Sequence, residues 1–354
     1  MMALFPALVA VSQEPGQAVP DYAVDDSTRP ATTPREAAVL KGLDWLKDNQ
    51  NQDGSWGKGN KSGTTGLALR VFLAHGETPV SEKYGDSVRG AIEYLVELSR
   101  KNHGKLIPMG GEKSKHWPYE HAIATYALAD ALVACKEAKI PTPGLDVAVR
   151  KAGQYIIVNQ HMSGGWDYGY KESGTRGGDM SLTSWHILAL DACRRTGLEY
   201  LNMRPCIQKA LDFCKKHQAK SGGFGYWGTA PIGDPGYHTL TGAGVYCFQT
   251  WGKADLPVVQ KGLKYIAEKS KFQYNTKFCD LYAAYYESRA MKIGGGEAWK
   301  KYRDNLLKEL IENQSPDGSW PPPGGGQKPR AVAPIFITNT TYRTCLCLLI
   351  LEVC

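Results

Sequence analysis

The chain has 354 residues, 42% of them hydrophobic, with 42 Lys and Arg against 35 Asp and Glu and a formal net charge of +7. That charge is spread along the chain with no basic stripe interleaved with aromatics, which argues against nucleic acid as a partner. No stretch of about 18 apolar residues exists to span a membrane, so any membrane contact would be peripheral.

The chain opens on a short apolar run, residues 4–11, followed by polar Ser12, Gln13, Glu14 and Pro15. This reads either as the end of an export signal lacking its basic beginning, or as a loose tail on a cytoplasmic protein. Residues 12–32 hold too little to bury and predict a disordered linker. The expected division is a tail over 1–33 and one domain over 34–354.

Residues 50–56, 160–166 and 314–320 each read Gln-x-x-x-Gly-x-Trp, and 218–224 is the same with Phe224 last. Each tail follows a helix-like stretch marked by an aromatic and a core residue: Trp45-Leu46, Tyr155-Ile156 and Phe213-Cys214. Tyr94-Leu95 and Tyr265-Ile266 carry the same mark, and Glu309-Leu310 fills the sixth slot. Such self-similarity belongs to an array of supersecondary units that cannot bury their apolar faces alone.

The first helix of each unit is amphipathic. Ile207, Ala210, Leu211 and Cys214 form one stripe, with Lys209, Asp212 and Lys215 between them. The first unit opens with Thr33-Pro34-Arg35-Glu36, a capping box with Pro at the first helical position. The second helices, over 66–73, 121–135, 180–193, 240–248, 281–291 and 341–354, are apolar nearly all round and predict burial on most sides. The expected fold is therefore all-α: an α/α toroid of six inner and six outer helices from six helix-pair repeats, with an open solenoid as the alternative. In each tail Gly should supply a positive φ, Trp a wedge between neighbouring units, and Gln a bond to the exposed carbonyls of an adjacent helix end.

Nine cysteines, an odd number with no Cys-x-x-Cys pair, predict small core residues and no disulfide framework.

If the buried helices ring a cavity, their first turns converge on one mouth. Those turns carry Thr64-Thr65, Tyr119-Glu120-His121, Asp179-Met180-Ser181, Tyr237-His238-Thr239, Cys279-Asp280 and Asn339-Thr340. Asp, Ser, Thr and Asn also cap helices, which explains Asp179 and Asp280 without chemistry. Collectively they suggest a site in an apolar pocket. Asp179 is the candidate proton donor or cation stabiliser, because Gly177 and Gly178 free the backbone before it. Glu120, His121, His238 and Asp280 would shape the site. His238, Cys279 and Asp280 are also acceptable zinc ligands. Tyr119, Trp185, Tyr237, Tyr246, Tyr282, Tyr285, Tyr286 and Tyr342 could pack the core or line a cation path, and Trp117 and Trp227 could roof the mouth.

The tails on paired helices resemble the QW repeats of squalene-hopene and oxidosqualene cyclases, and the repeats of protein prenyltransferase β subunits. The resemblance covers residues 34–354 and implies the α/α toroid. It further implies an isoprenoid or other apolar ligand in a central cavity, with cyclase-like or prenyltransferase-like activity. The Asp-x-Asp-Asp acid motif of the cyclases is absent: the nearest stretch, 178–183, holds only Asp179. Tyr237-His238-Thr239 resembles the zinc-binding His context of the prenyltransferases, but it precedes Cys279-Asp280 instead of following an Asp-x-Cys pair. Two further expectations stand beside an enzyme of this kind: a non-catalytic binding or scaffold protein that retains the toroid, and carbohydrate chemistry, which paired carboxylates across the mouth would favour.

Overall fold

The computed structural model describes residues 33–170, 177–230, 239–323 and 338–354. The expectations for residues 1–32 and for His238 fall outside them. Among the described residues there are twelve α-helices and no β-strand. The outer helices are α1 (Pro34–Asp48), α3 (Gly85–Lys101), α5 (Leu145–Val158), α7 (Met203–Lys216), α9 (Pro257–Lys269) and α11 (Gly296–Glu312). The inner helices are α2 (Lys61–Ala74), α4 (Trp117–Glu137), α6 (Met180–Arg195), α8 (Thr241–Thr250), α10 (Leu281–Gly294) and α12 (Thr340–Leu351).

The two sets differ as their sequences require. In α6 every residue from Met180 to Cys193 is buried, whereas α11 buries only Leu306 and Leu310. Each inner helix packs on the next, and α12 packs back on α2, so the ring is closed. The solenoid alternative is thereby excluded. Outer helix α1 starts as expected, with the Thr33 hydroxyl accepting from the Glu36 amide at 3.2 Å and Pro34 in the first turn.

The inner helices run parallel. Ser62 and Glu120 join the first turns of α2 and α4 at 2.9 Å, while Arg70 and Asp130 join their later turns at 3.1 Å. Arg195 near the end of α6 reaches Asp130 at 2.7 Å, and Arg289 reaches the Leu349 carbonyl near the end of α12 at 3.1 Å. All six inner N-termini therefore face one side of the ring, the mouth, and all six C-termini face the other, the base.

The tails lock this arrangement. Each Gln amide donates twice, once to its own turn and once to the first turns of the next outer helix. Gln50 bonds the Gly54 and Ser87 carbonyls at 2.9 and 3.0 Å; Gln160 bonds those of Gly164 and Cys206 at 2.7 and 2.8 Å. Gln218 bonds Gly222 and Val258 at 3.0 and 2.8 Å, and Gln314 bonds Gly318 and Ala38 at 2.9 and 2.8 Å. The last bond runs from the sixth unit to the first and closes the ring. The carbonyls used belong to helix starts, where the expectation had helix ends.

Trp56, Trp166 and Trp320 are fully buried, and each indole N–H donates to the outer helix of its own unit, at Leu46, Ile156 and Leu310 (2.7, 2.9 and 2.9 Å), which fastens the tail within the unit. All nine cysteines are free, and all but half-buried Cys354 are buried.

Gly318 shows why the tail glycine is required. Its φ is +92°, and a Cβ there would stand 2.1 Å from the Lys41 carbonyl oxygen of α1. Gly197 has a similar φ of +73° but open space around it. Gly197→Ala should therefore cost about 1–2 kcal/mol for the left-handed backbone alone. Gly318→Ala should cost about 1–3 kcal/mol more, because α1 must move. Urea unfolding of the two variants measures the difference.

Candidate active site

Three inner helices carry side-chain N-caps at the mouth. Asp179 Oδ1 accepts from the Leu182 amide at 2.7 Å, Asp280 Oδ1 from the Ala283 amide at 2.9 Å, and Asn339 Oδ1 from the Tyr342 amide at 3.0 Å. The capping role read from the sequence is real, and for two of these residues it is only half of what they do.

Asp179 is almost wholly buried, and its second oxygen, Oδ2, accepts from the Tyr226 hydroxyl at 2.9 Å. Tyr226 OH lies 2.8 Å from Tyr168 OH, so two phenols and the carboxylate form a chain leading outward. Tyr168 and Tyr226 were not among the expected site residues. Each stands two positions beyond the last residue of a tail, after Trp166 and Phe224, and that repeated spacing is the signal that could have found them. Local backbone pairing holds both: the Asp179 amide donates to the Trp166 carbonyl at 3.0 Å, and the Met180 amide to the Tyr226 carbonyl at 3.1 Å. Tyr119, half-buried at the start of α4, packs edge-on against Tyr168 with ring centroids 5.9 Å apart.

Asp280 caps α10 two residues before Tyr282, and Asp179 caps α6 two residues before Ser181. Ser181 Oγ and Tyr282 OH meet at 2.6 Å. Since α6 and α10 are separated in the ring by α8, this bond reaches past α8 and ties the first turns of two non-adjacent inner helices together at the mouth. Burial, the largest influence, raises the Asp280 pKa to about 6, against hydrogen bonds from the Ala283 amide, the Thr239 hydroxyl and the Tyr282 amide that lower it.

Below this bond the two helices meet again. Trp185 of α6 stacks on Tyr285 of α10 with centroids 5.5 Å apart and meets Tyr286 edge-on at 5.5 Å. All three are fully buried or nearly so. Deeper still, Arg70 lies over the Tyr126 ring at 3.5 Å and pairs with Asp130, which Arg195 also engages. Part of the centre expected from the sequence to be an apolar hollow is therefore taken up by aromatic side chains and ion pairs, and phenols stand above them at the mouth.

The other expected residues stand apart from this pair. Glu120 is buried against the first turn of α2, accepts from Ser62 and has a pKa raised chiefly by burial. His121 faces α5 instead of the lumen: its Nδ1 accepts from the Leu106 amide at 3.0 Å and its Nε2 reaches the Ala152 carbonyl at 3.3 Å. Burial lowers its pKa to about 3, so it is a neutral, fully engaged core histidine. Cys279 is buried beside Asp280, and burial raises its pKa. Among the described residues no group of three His, Cys, Asp or Glu side chains is placed to hold a metal ion, and the third expected zinc ligand, His238, is outside them. Trp117, expected in a loop, begins α4 and is buried against Tyr170 at 4.6 Å, while Trp227 is 58% exposed beside Tyr226.

No protein-family model and no curated protein matches the sequence. Solved structures do. The chain is similar to an α-1,6-mannanase from Salegentibacter sp. HEL1_6 at a TM-score of 0.63 and 9% identity, over 91% of this chain and 98% of that one. It is similar to the type II terpene cyclase MstE from Scytonema, in complex with geranylgeranyl dihydroxybenzoate, at a TM-score of 0.55 and 13% identity, over 90% and 96%. A protein from Actinoplanes gives 0.55 and 14%, over 90% and 98%. The fold is thus the terpenoid-cyclase-like α/α toroid, and at such identities the likeness speaks for the fold alone. No helix among the described residues is long and apolar enough to cross a membrane.

The Asp280 shift has a signed consequence. Its folded pKa of about 6 lies above the unfolded value of about 3.9. Its contribution to stability is therefore complete below about pH 4 and is lost as pH rises through about 6. Asp280→Asn keeps an oxygen for the Ala283 amide and cannot ionise. Urea unfolding from pH 4 to 7 should show that this variant loses less stability across the window than the parent, and the Asp280 carboxyl should titrate near 6 by NMR.

Proposed function

We propose that the protein is an enzyme whose mouth carries out acid–base chemistry on a reaction passing through a cation, with Asp280 giving the proton and Asp179 supplying negative charge. The observation that supports this most is a pair of carboxyls capping inner helices at the mouth: burial raises the Asp280 pKa to about 6, within reach of proton donation near neutral pH, and Asp179 is held at both oxygens by the Leu182 amide and the Tyr226 hydroxyl. The assignment moves the proton from Asp179, where the sequence alone put it, to Asp280. Tyr226 and Tyr168 hold the second Asp179 oxygen, and Tyr119 and Tyr282 offer ring faces that favour positive charge.

The lining of the mouth supports a glycoside as the substrate class: phenol hydroxyls and ring faces suit a sugar, whose cleavage passes through an oxocarbenium-like state served by two carboxyl groups. An isoprenoid would find aromatic faces too, but Trp185 and Tyr285 would first have to part. A scaffold that had lost its chemistry would give the raised Asp280 pKa no consequence in turnover.

The test is turnover of glycan and polyprenyl substrate panels by the full chain. Asp280→Asn should lower kcat on a glycoside by about 100-fold or more, and Asp179→Asn similarly, with circular dichroism and unfolding midpoint retained. Tyr226→Phe should cost less, about 10-fold, because it removes one hydrogen bond to the carboxylate. Turnover of a polyprenyl substrate with none of any glycoside would overturn the substrate class. Glycoside turnover unchanged in Asp280→Asn would overturn the acid assignment.

A further inference from the structure

We infer that the mouth is built to take a negatively charged glycan, one bearing uronate or sulfate groups; this rests on the glycoside reading above and narrows its substrate.

Because inner helices are parallel and outer helices run against them, every outer-to-inner connection lies on the mouth face and every inner-to-outer connection on the base face. The mouth connections expose Lys58, Lys113, Lys115, Lys220, Lys271 and Lys277. None of the six is in an ion pair among the described residues. Among the described residues the exposed acids of those connections are Asp53, Glu112 and Asp317, of which Asp53 is paired with Lys61 and Glu112 with Lys105, each at 2.9 Å. The base connections have the opposite balance: Glu82, Glu199 and Asp255 are exposed against Lys139.

Helix stability does not account for four of the mouth lysines. Cations gather usefully at helix C-termini, as Lys215 and Lys216 do in the last turn of α7. Lys58, Lys113, Lys115 and Lys277 instead stand within a few residues before the N-termini of α2, α4 and α10, the end at which the macrodipole disfavours positive charge. A feature set against local stability on one face of the ring, around a site, has its reason in what approaches that site. A basic rim draws in an anion and raises its local concentration.

Inside the rim the groups are those that bind sugars. Trp227 is 58% exposed, and half-buried Tyr119, Tyr168, Tyr226 and Tyr282 present ring faces and hydroxyls. An anionic lipid surface would ask for a contiguous apolar patch. Among the described residues the mouth connections instead expose Met109, Met162 and Trp227, one on each of three connections.

The experiment is calorimetric binding to the full chain carrying Asp280→Asn, which removes turnover as a confounding process. The probes are trigalacturonate and neutral α-1,6-mannotriose at 50 and 250 mM NaCl, and phosphatidylglycerol vesicles. Trigalacturonate should bind at least about 10-fold more tightly than mannotriose at low salt, and the gap should shrink at 250 mM because exposed charges are screened. A quadruple variant, K58E, K113E, K115E and K277E, should remove the gap, while Glu82→Lys on the base face should not. Equal affinity for the two sugars, binding to vesicles alone, or a preference that survives the quadruple variant would each overturn the inference. The acid–base reading is judged separately: glycoside turnover that Asp280→Asn abolishes, with no charge preference, leaves it standing and removes only this one.

Discussion

Six inner helices begin on one face of the ring, each with backbone amides that need partners there, and much of the structure answers that need. The outer helices run against them, so their dipoles oppose those of the inner ring, but the free amides and carbonyls at each end remain. At the mouth, Asp179, Asp280 and Asn339 accept from the first free amides of α6, α10 and α12. At the base, cationic side chains are turned onto late carbonyls: Lys136 onto Thr196 at 2.8 Å, Arg289 onto Leu349, and Arg35 onto Leu351 at 3.1 Å. The carboxylates proposed for catalysis stand at the mouth because the helix ends there need them, so the two proposed roles fall on caps the fold already requires.

The ring itself depends on a small device used four times. A glutamine amide has two N–H donors, and each tail spends one on its own turn and one on the next unit's outer helix. The glycine four residues later lets the tail lie against that helix with nothing between. Because the contact is always to the next unit, the last copy must reach the first, and Gln314 on Ala38 completes the circle. A repeat that couples only to its neighbour propagates geometry faithfully, which explains how α6 and α10, 101 residues apart at Ser181 and Tyr282, meet at the mouth.

The fold was legible in the sequence for the same reason. The tail pattern, the amphipathic stripe of α7 and the all-round apolarity of α6 are local properties whose consequence repeats around the ring. The caps Asp179 and Asp280 were legible too, since residue type and position before an apolar helix suffice. What could not be read was direction and depth. Glu120 and His121 are adjacent at a helix start, yet one turns toward α2 and the other toward α5, because α4 is buried on all sides and apolar periodicity does not distinguish its faces. How far the centre was hollow depended on Trp185 and Tyr285 meeting from helices that are not neighbours. Tyr168 and Tyr226 were hidden by falling just outside a motif already explained as structural.

Function on this account belongs to the mouth of a closed ring, where Asp179 and Asp280 cap two inner helices among phenols, within a basic rim. Every part of it requires that the last helix pair close on the first. Circular permutation tests that most directly. Residue 354 would be joined to residue 33 by a short Gly-Ser linker and the chain reopened at the exposed turn around Gly197. Closure predicts a monomer of unchanged helix content that unfolds in one cooperative transition with a midpoint near that of the parent. An aggregated product, or two separate transitions, would contradict it.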